Sequence, residues 1–294
     1  MFYEPGIGLH KLWHKYLTLA AGGLFLAACT TRQDDKNTTA TTHVSPPVVQ
    51  TLNIVSRPQP ILAMMQHRGE QDAARPVLRI ISPLNGELVD GPSVIVKLTM
   101  TGDLRGYTLY QDSMTGMGNH IHLVLDNQPY EAYYDLTRPF EFKDVAPGLH
   151  TLRAFASRPW HESYKNEGAF QMVSFTVRDN ASASEGLPGN VDLSKPLLTY
   201  SRPKGEYKGD QSDPIMIDFW LSNTKLKADG GATRVRYIID DDEPRYADEW
   251  EPIWLSGWTT GKHSVRLELL GSDEWPIQNG EFNVTTREIF VTRP

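Results

Sequence analysis

His120 and His122, two histidines one residue apart, are the residues whose type and spacing most directly suggest chemistry. They lie in the apolar run 118–126, which has the composition of a β-strand. Side chains alternate between the two faces of a strand, so both imidazoles would project from one face. Imidazole nitrogens bind copper and zinc, and the thioethers of Met114 and Met117, just upstream, suit copper(I). The pattern predicts either a metal site or the polar face of a sheet.

The elements that would position these histidines are short alternating or β-branched runs separated by turn residues. Such runs, without helical periodicity between them, predict an all-β protein built of β-sandwiches. We predict one sandwich at 77–179 and a second at 196–294, joined by a glycine- and serine-containing linker at 180–195. The Thr- and Pro-rich stretch 29–76 has no sustained periodicity and is predicted to be a flexible tether.

The two predicted sandwiches are related by an internal repeat. The segment NHIHLVLDNQPY aligns with TRVRYIIDDDEPRY, which matches Asp126 with Asp240. Gly148 comes 22 residues after the first aspartate and Gly261 comes 21 residues after the second, and each glycine is followed two residues later by a histidine. The shared order and spacing indicate a duplicated domain of about 100 residues, a usual size for a sandwich.

Each half resembles the bacterial immunoglobulin-like domains of cell-surface and periplasmic proteins. The segments that carry the resemblance in the first half are ISPLNG at 81–86, VDGPSV at 89–94, the strand HLVLD and the Gly-x-His-x-Leu corner at 148–152. The resemblance implies two tandem immunoglobulin-like β-sandwiches. It names no ligand, because domains of this fold have many functions.

The repeat bears directly on the histidine pair. In the second copy, Arg234 and Arg236 occupy the positions of His120 and His122. A strand face that carries His-x-His in one copy and Arg-x-Arg in the other is most simply a solvent-facing one. We therefore expect solvent-exposed histidines, with a copper or zinc site as the alternative, for which His161 is a candidate third imidazole.

The N-terminal residues have the pattern of an export signal. Two lysines precede the apolar stretch 16–28, which is too short to span a bilayer as a helix. It ends in LAAC at 26–29, which resembles the lipobox of bacterial lipoproteins, and Cys29 is the only cysteine in 294 residues. The resemblance implies that 1–28 is a signal peptide and that acyl chains on Cys29, such as palmitate, anchor the protein to a membrane. It implies the outer membrane, facing the periplasm or the cell surface, in a Gram-negative cell and the outer face of the plasma membrane otherwise.

Charge and motifs exclude several classes of function. The formal net charge is −7, from 29 basic and 36 acidic residues, which argues against a nucleic-acid partner. The sequence has no Gly-x-Ser-x-Gly elbow, no His-Glu-x-x-His pair and no complete phosphate-binding loop. We therefore predict a protein that is not an enzyme.

Aromatic residues suggest a binding surface. Rigid aromatic side chains supply large contact area at little entropic cost. We predict a non-catalytic binding or structural module at the cell envelope, with an envelope protein or a glycan as partner; the alternative is a periplasmic copper- or zinc-binding lipoprotein. The aromatic candidates for the binding surface are Trp160, Tyr164, Trp250, Trp254 and Trp258.

Overall fold

Strands dominate the computed structural model, which describes residues 50–178 and 191–293. They form two immunoglobulin-like β-sandwiches, so the predicted fold class is confirmed. All described residues belong to one compact unit of the chain. The predicted signal peptide, Cys29, the tether up to residue 49 and most of the linker lie outside the described residues. Within the described part, no helix has the length and apolar character needed to cross a bilayer.

The first sandwich packs a three-stranded sheet against a five-stranded one. Before it, the chain forms β1 (Asn53–Val55), α1 (Gln59–Arg68) and a 3₁₀ turn (Gly69–Ala73). The sandwich strands are β2 (Arg75–Ser82), β3 (Glu87–Asp90), β4 (Val94–Asp103), β5 (His120–Leu125), β6 (Glu131–Tyr133), β7 (Phe140–Phe142), β8 (Gly148–Ser157) and β9 (Phe170–Arg178). The sheet orders are β2-β4-β7 and β3-β9-β8-β5-β6, and β3 runs parallel to β9.

The second sandwich has the same strand order with one strand added. Its strands are β10 (Leu197–Arg202), β11 (Gly205–Lys208), β12 (Ile215–Ser222), β13 (Arg234–Ile239), β14 (Arg245–Ala247), β15 (Ile253–Ser256), β16 (Gly261–Leu270) and β17 (Val284–Thr292). The sheets are β1-β15-β12-β10 and β11-β17-β16-β13-β14, and β11 runs parallel to β17. The alignment of β5 with β13 and of β8 with β16 is the repeat seen in the sequence.

The repeated aspartate and histidine form the same clamp in both sandwiches. The Nδ1 of His150 lies 2.7 Å from a carboxylate oxygen of Asp126, and the Nδ1 of His263 lies 2.6 Å from one of Asp240. Each imidazole also bonds through Nε2 to a carbonyl four residues earlier in the chain. Both aspartates have a positive φ at the end of their strand. The clamp fixes this turn, so recurrence of these histidines reflects architecture.

The segment 50–76 is ordered, and the tether prediction is wrong for it. β1 pairs antiparallel with the edge strand β15, with Asn53 opposite Ser256. The approach is close, since a Cβ at Gly257 would lie 2.1 Å from the Thr51 carbonyl oxygen. On α1, the buried Ile61 packs in a cluster with Trp160 and Trp254. The added strand covers a sheet edge that would otherwise be open, and a three-residue strand is too short to show periodicity.

The two sandwiches pack face to face, so β5 is covered on both sides. The ring of Phe170 stacks on that of Trp220, with centroids 5.2 Å apart and planes within 5° of each other. The Nη1 of Arg153 donates to Thr199 Oγ1 at 2.9 Å. These contacts place the outer face of the five-stranded sheet of the first sandwich against the β10–β12 sheet of the second.

Candidate functional site

The histidine pair is buried, which corrects the expectation of a solvent-facing strand. His120 and His122 are both 0% exposed. Ile121 and Leu123 point into the core of the first sandwich, and the two histidines point to the opposite face, where the second sandwich covers them. Burial of a strand face by a second domain cannot be predicted from the local residue pattern.

The arginines at the corresponding positions of the second copy lie on a face that is only partly covered. Arg234 is ion-paired with Asp248 at 2.8 Å, and Arg236 is paired with Glu268. Both arginines are half-buried. The repeat therefore identified the correct face of the strand, but the surroundings of that face differ between the two copies.

Three imidazoles meet at one point between the sandwiches. His122 Nε2 lies 2.8 Å from His120 Nε2, and His161 Nδ1 lies 3.0 Å from that same atom. One nitrogen from each of the three rings lies within 4.8 Å of the others. The third imidazole comes from the turn after β8, so the structure joins His161 to the pair as the metal hypothesis requires.

The backbone holds His161 in an uncommon conformation. Its φ is 68°, a left-handed value that is rare outside glycine and is often found at functional sites. The next residue fixes this turn, since Glu162 accepts hydrogen bonds from the Arg57 guanidinium at 2.9 Å and from the Trp160 indole at 2.8 Å. Arg57 belongs to the segment between β1 and α1, so that segment helps to position the third imidazole.

The contacts of the pair fix the tautomer of His120 and are compatible with a metal-binding tautomer of His122. His120 Nδ1 lies 2.8 Å from the Gly118 carbonyl oxygen and can only donate to it, which leaves Nε2 of this ring as an acceptor. His122 Nδ1 lies 3.3 Å from Ser201 Oγ of β10, which can accept its proton. In that tautomer, both Nε2 atoms of the pair present lone pairs to the same point. Contacts from backbone and hydroxyl groups that orient metal-binding histidines are a usual feature of metal sites.

Burial keeps the three rings neutral. It lowers the pKa of His120 to about 4 and lowers the pKa values of His122 and His161 well below the usual value for histidine. The charges of Arg202 and Lys204 add to this effect for His122 and His161. Neutral imidazole is the form that binds a metal ion, so protons do not compete for these nitrogens near neutral pH.

A cleft of about 470 Å³ leads from solvent to the half-buried His161. The first sandwich contributes Tyr130 and Tyr134 to it, and the second contributes Arg202 and Lys204. The Tyr130 ring stacks on His122, with centroids 3.5 Å apart, and its hydroxyl lies 3.2 Å from His161 Nδ1. A solute can thus reach the histidine cluster from solvent at His161.

One of the two predicted methionine ligands lies away from the histidine cluster. Met114 is 94% exposed, so it is not among the buried groups around the imidazoles, and its prediction as a ligand is wrong. Met117 is half-buried on the loop before β5, and its role as a ligand stays a prediction.

The predicted aromatic surface is also wrong, because most of its members are interior. Trp160, Tyr164, Trp254 and Trp258 are buried. Trp250 is half-buried, packs edge-on against Trp220, and donates its indole proton to a backbone carbonyl. These side chains stabilise the sandwiches and the interface between them and do not form an exposed platform.

Four residues around the cluster were missed in the sequence. Tyr130, Ser201, Arg202 and Lys204 contact it or line the cleft beside it. Three of them lie about 80 residues beyond the histidines, and β10 brings them there by packing against β5. The sequence offered no local signal for this approach.

Comparisons with known proteins show only remote structural similarity. No protein-family model matches the sequence, and no curated protein matches it. The fibronectin(III)-like modules of Clostridium thermocellum CbhA are similar over 74% of this chain and 95% of theirs, at 14% identity and a TM-score of 0.25. Bacteroides ovatus SGBP-B of a mixed-linkage glucan utilization locus, solved with a mixed-linkage heptasaccharide, is similar over 74% of this chain and 70% of its own, at 9% identity and a TM-score of 0.22. Latent PorU of Porphyromonas gingivalis is similar over 74% of this chain and 20% of its own, at 14% identity and a TM-score of 0.25.

Proposed function

We propose that this protein is a lipid-anchored metal-binding module that holds one Zn²⁺ or Cu²⁺ ion through His120, His122 and His161. The observation that supports the proposal is the convergence of two buried imidazoles and the half-buried His161, with a nitrogen of each within 4.8 Å of the others. In the metal-binding tautomers, the three inward nitrogens have no protons. Their lone pairs would then repel one another unless a cation lay between them.

The dimensions of the cluster fit a metal ion. Metal–nitrogen distances of about 2.0–2.1 Å in a tetrahedral site place the nitrogens roughly 3.3 Å apart. The two shortest separations, 2.8 and 3.0 Å, fall a few tenths of an ångström below this value. Reaching it requires His120 and His122 to separate by about 0.5 Å and His161 to move about 0.3 Å away from His120.

The ligand set favours Zn²⁺ or Cu²⁺. Imidazole suits both ions, whereas copper(I) favours sulfur ligands, and the exposure of Met114 removes one of the two thioethers expected for it. Three protein ligands leave a coordination position open. We propose a binding role and not a catalytic one, because no nucleophile or protease motif accompanies the histidines in the sequence.

Metal binding to the full chain tests the proposal. After dialysis against Zn²⁺ or Cu²⁺, we expect one tightly bound ion per chain, measured by elemental analysis. His161→Gln should weaken binding by more than about 100-fold, because even loss of a residue that only orients a ligand costs 10–100-fold. His67→Ala is the matched control, since His67 is exposed on α1 and should have no effect. Equal affinity in wild type and His161→Gln, or metal content at trace level, would refute the assignment.

The anchor is the second part of the proposal. A lone cysteine directly after Leu-Ala-Ala supports acylation at Cys29. Several acyl chains at about 0.8 kcal/mol per buried methylene give stable membrane attachment. Attachment would place both sandwiches on the outer face of the cell's membrane or at the periplasmic or cell-surface side of an outer membrane.

Metabolic labelling with a palmitate analogue tests the anchor. We expect label on the wild-type chain and its recovery in the membrane fraction. Cys29→Ser should lose both properties, because no other thiol is present. Thr30→Ser, beside the acylated position, is the control and should retain both. A labelled Cys29→Ser chain would contradict the proposal.

An envelope protein or a glycan remains the proposed macromolecular partner. The predicted aromatic residues no longer support it, because four of the five are buried. The metal site is therefore the part of the function for which the structure offers specific residues.

A further inference from the structure

We infer that the cleft beside His161 binds a small oxyanion, a carboxylate or a phosphate, which occupies the open coordination position of the metal. The inference rests on the proposed metal site and adds the ligand class of that site. It is carried by two cationic side chains that converge on the cleft from the second sandwich.

Arg202 and Lys204 have no carboxylate partner among the described residues. The Arg202 guanidinium donates to the Lys204 carbonyl oxygen and to the Tyr207 hydroxyl, both at 3.2 Å. The Lys204 ammonium donates to the Tyr130 carbonyl oxygen and lies 4.4 Å from the centroid of the Tyr130 ring. Both residues are half-buried. A guanidinium carries five N–H donors and an ammonium carries three, so both side chains retain donors for an anion.

The cleft combines this charge with access to the imidazoles. Arg202, Lys204 and His161 line the same cleft of about 470 Å³, which has room for a small ligand. Among the described residues that line it, the acidic one is Glu131, which is exposed. The Tyr130 hydroxyl lies 3.2 Å from His161 Nδ1, and the Tyr134 ring, with its centroid 5.0 Å from that of His120, lines the same cleft.

The charges favour joint binding of metal and anion. A divalent ion at the three imidazoles would face two nearby positive side chains, which oppose its binding. An oxyanion between them neutralises this repulsion and supplies a negatively charged oxygen to the open position of the metal. Metal and oxyanion should therefore each raise the affinity of the other by the same factor, because coupling between two sites is reciprocal.

Co²⁺ titration of the full chain tests the inference, because Co²⁺ replaces Zn²⁺ and reports its coordination in the visible spectrum. Binding is measured first without oxyanion, and then with acetate, with inorganic phosphate, and with the neutral analogue acetamide. We expect acetate or phosphate to change the spectrum and to raise the Co²⁺ affinity by roughly tenfold, within the 5- to 150-fold range common for coupled sites. Acetamide should do neither. The stronger of the two anions identifies the ligand as carboxylate or phosphate.

Lys204→Met separates this inference from the metal site itself. The variant should raise the Co²⁺ affinity without oxyanion, because one repelling charge is removed, and should lose most of the anion effect. Lys143→Met is the matched control, since Lys143 is 74% exposed and outside the cleft, and it should behave as wild type. If Co²⁺ binds but neither anion changes spectrum or affinity, or if Lys204→Met responds as wild type does, the inference is wrong and the metal site stands. If Co²⁺ does not bind, both are wrong.

Discussion

Lys165→Met is expected to destabilise the protein by about 3–5 kcal/mol, the usual cost of removing one partner of a buried ion pair. The Lys165 ammonium lies 2.7 Å from a carboxylate oxygen of Asp218, which is 0% exposed. Lys165 follows β8 in the first sandwich, and Asp218 is on β12 of the second. The substitution leaves a carboxylate buried at the interface with one other hydrogen bond from the described residues, donated by the Ser163 amide at 3.2 Å. Urea unfolding of the full chain measures the loss as a lower midpoint.

Two further variants show whether the cause is the unpaired charge. The double variant with Lys165→Met and Asp218→Leu buries no charge and should recover at least half of the lost stability, because apolar replacement of a buried pair is often nearly neutral. Lys143→Met removes an exposed lysine 3.9 Å from Glu141 and should cost less than about 1 kcal/mol. Wild-type stability of Lys165→Met would show that the interface does not depend on this pair.

The fold was predictable because each sandwich produces its own local signal. Alternation in β2 and β13, turn residues between strands, and the Asp-to-Gly spacing of the repeat depend on residues close together in sequence. Each of these features reflects the packing of one sheet on another within about 100 residues.

The burial and the neighbours of the candidate site were not predictable from local sequence patterns. The type and spacing of His120 and His122 identified them as possible ligands, and the repeat placed them on the outer strand face. Their burial depends on β10 and β12, more than 70 residues later, and on an interface with no pattern of its own. The roles of Arg57 and Lys204 were not predictable either. Arg57 lies in a segment whose composition is typical of a tether, and the sequence around Lys204 is typical of a turn.

Metal-free protein is expected to lose stability as the pH falls from 6.5 toward 4. Burial lowers the pKa of His120 to about 4, and those of His122 and His161 also lie well below the usual 6.5. Over this interval the unfolded chain binds protons that the folded protein excludes, so the free energy of unfolding decreases with falling pH. The stabilisation is complete above pH 6.5. Since one pKa unit corresponds to about 1.4 kcal/mol, His120 alone contributes about 3 kcal/mol.

The surroundings of the cluster strengthen this pH dependence. The cations that face it are Arg202 and Lys204 from the second sandwich, and the tyrosines that face it, Tyr130 and Tyr134, are neutral at these pH values. No described contact of the three rings offers a carboxylate to a protonated imidazole. A positive charge on the cluster is therefore opposed by both burial and its neighbours.

Urea midpoints at pH 7.5 and pH 5 measure the effect in the presence of a chelator. His122→Phe retains a flat ring against Tyr130, where the centroids are 3.5 Å apart, but cannot be protonated. It should lose less stability between the two pH values than wild type, whereas the exposed His67→Ala should lose as much as wild type. An unchanged pH dependence in His122→Phe would mean that acid acts through other groups. A reduced one would show that the folded protein keeps the His122 imidazole neutral, which is the state that a metal ion requires.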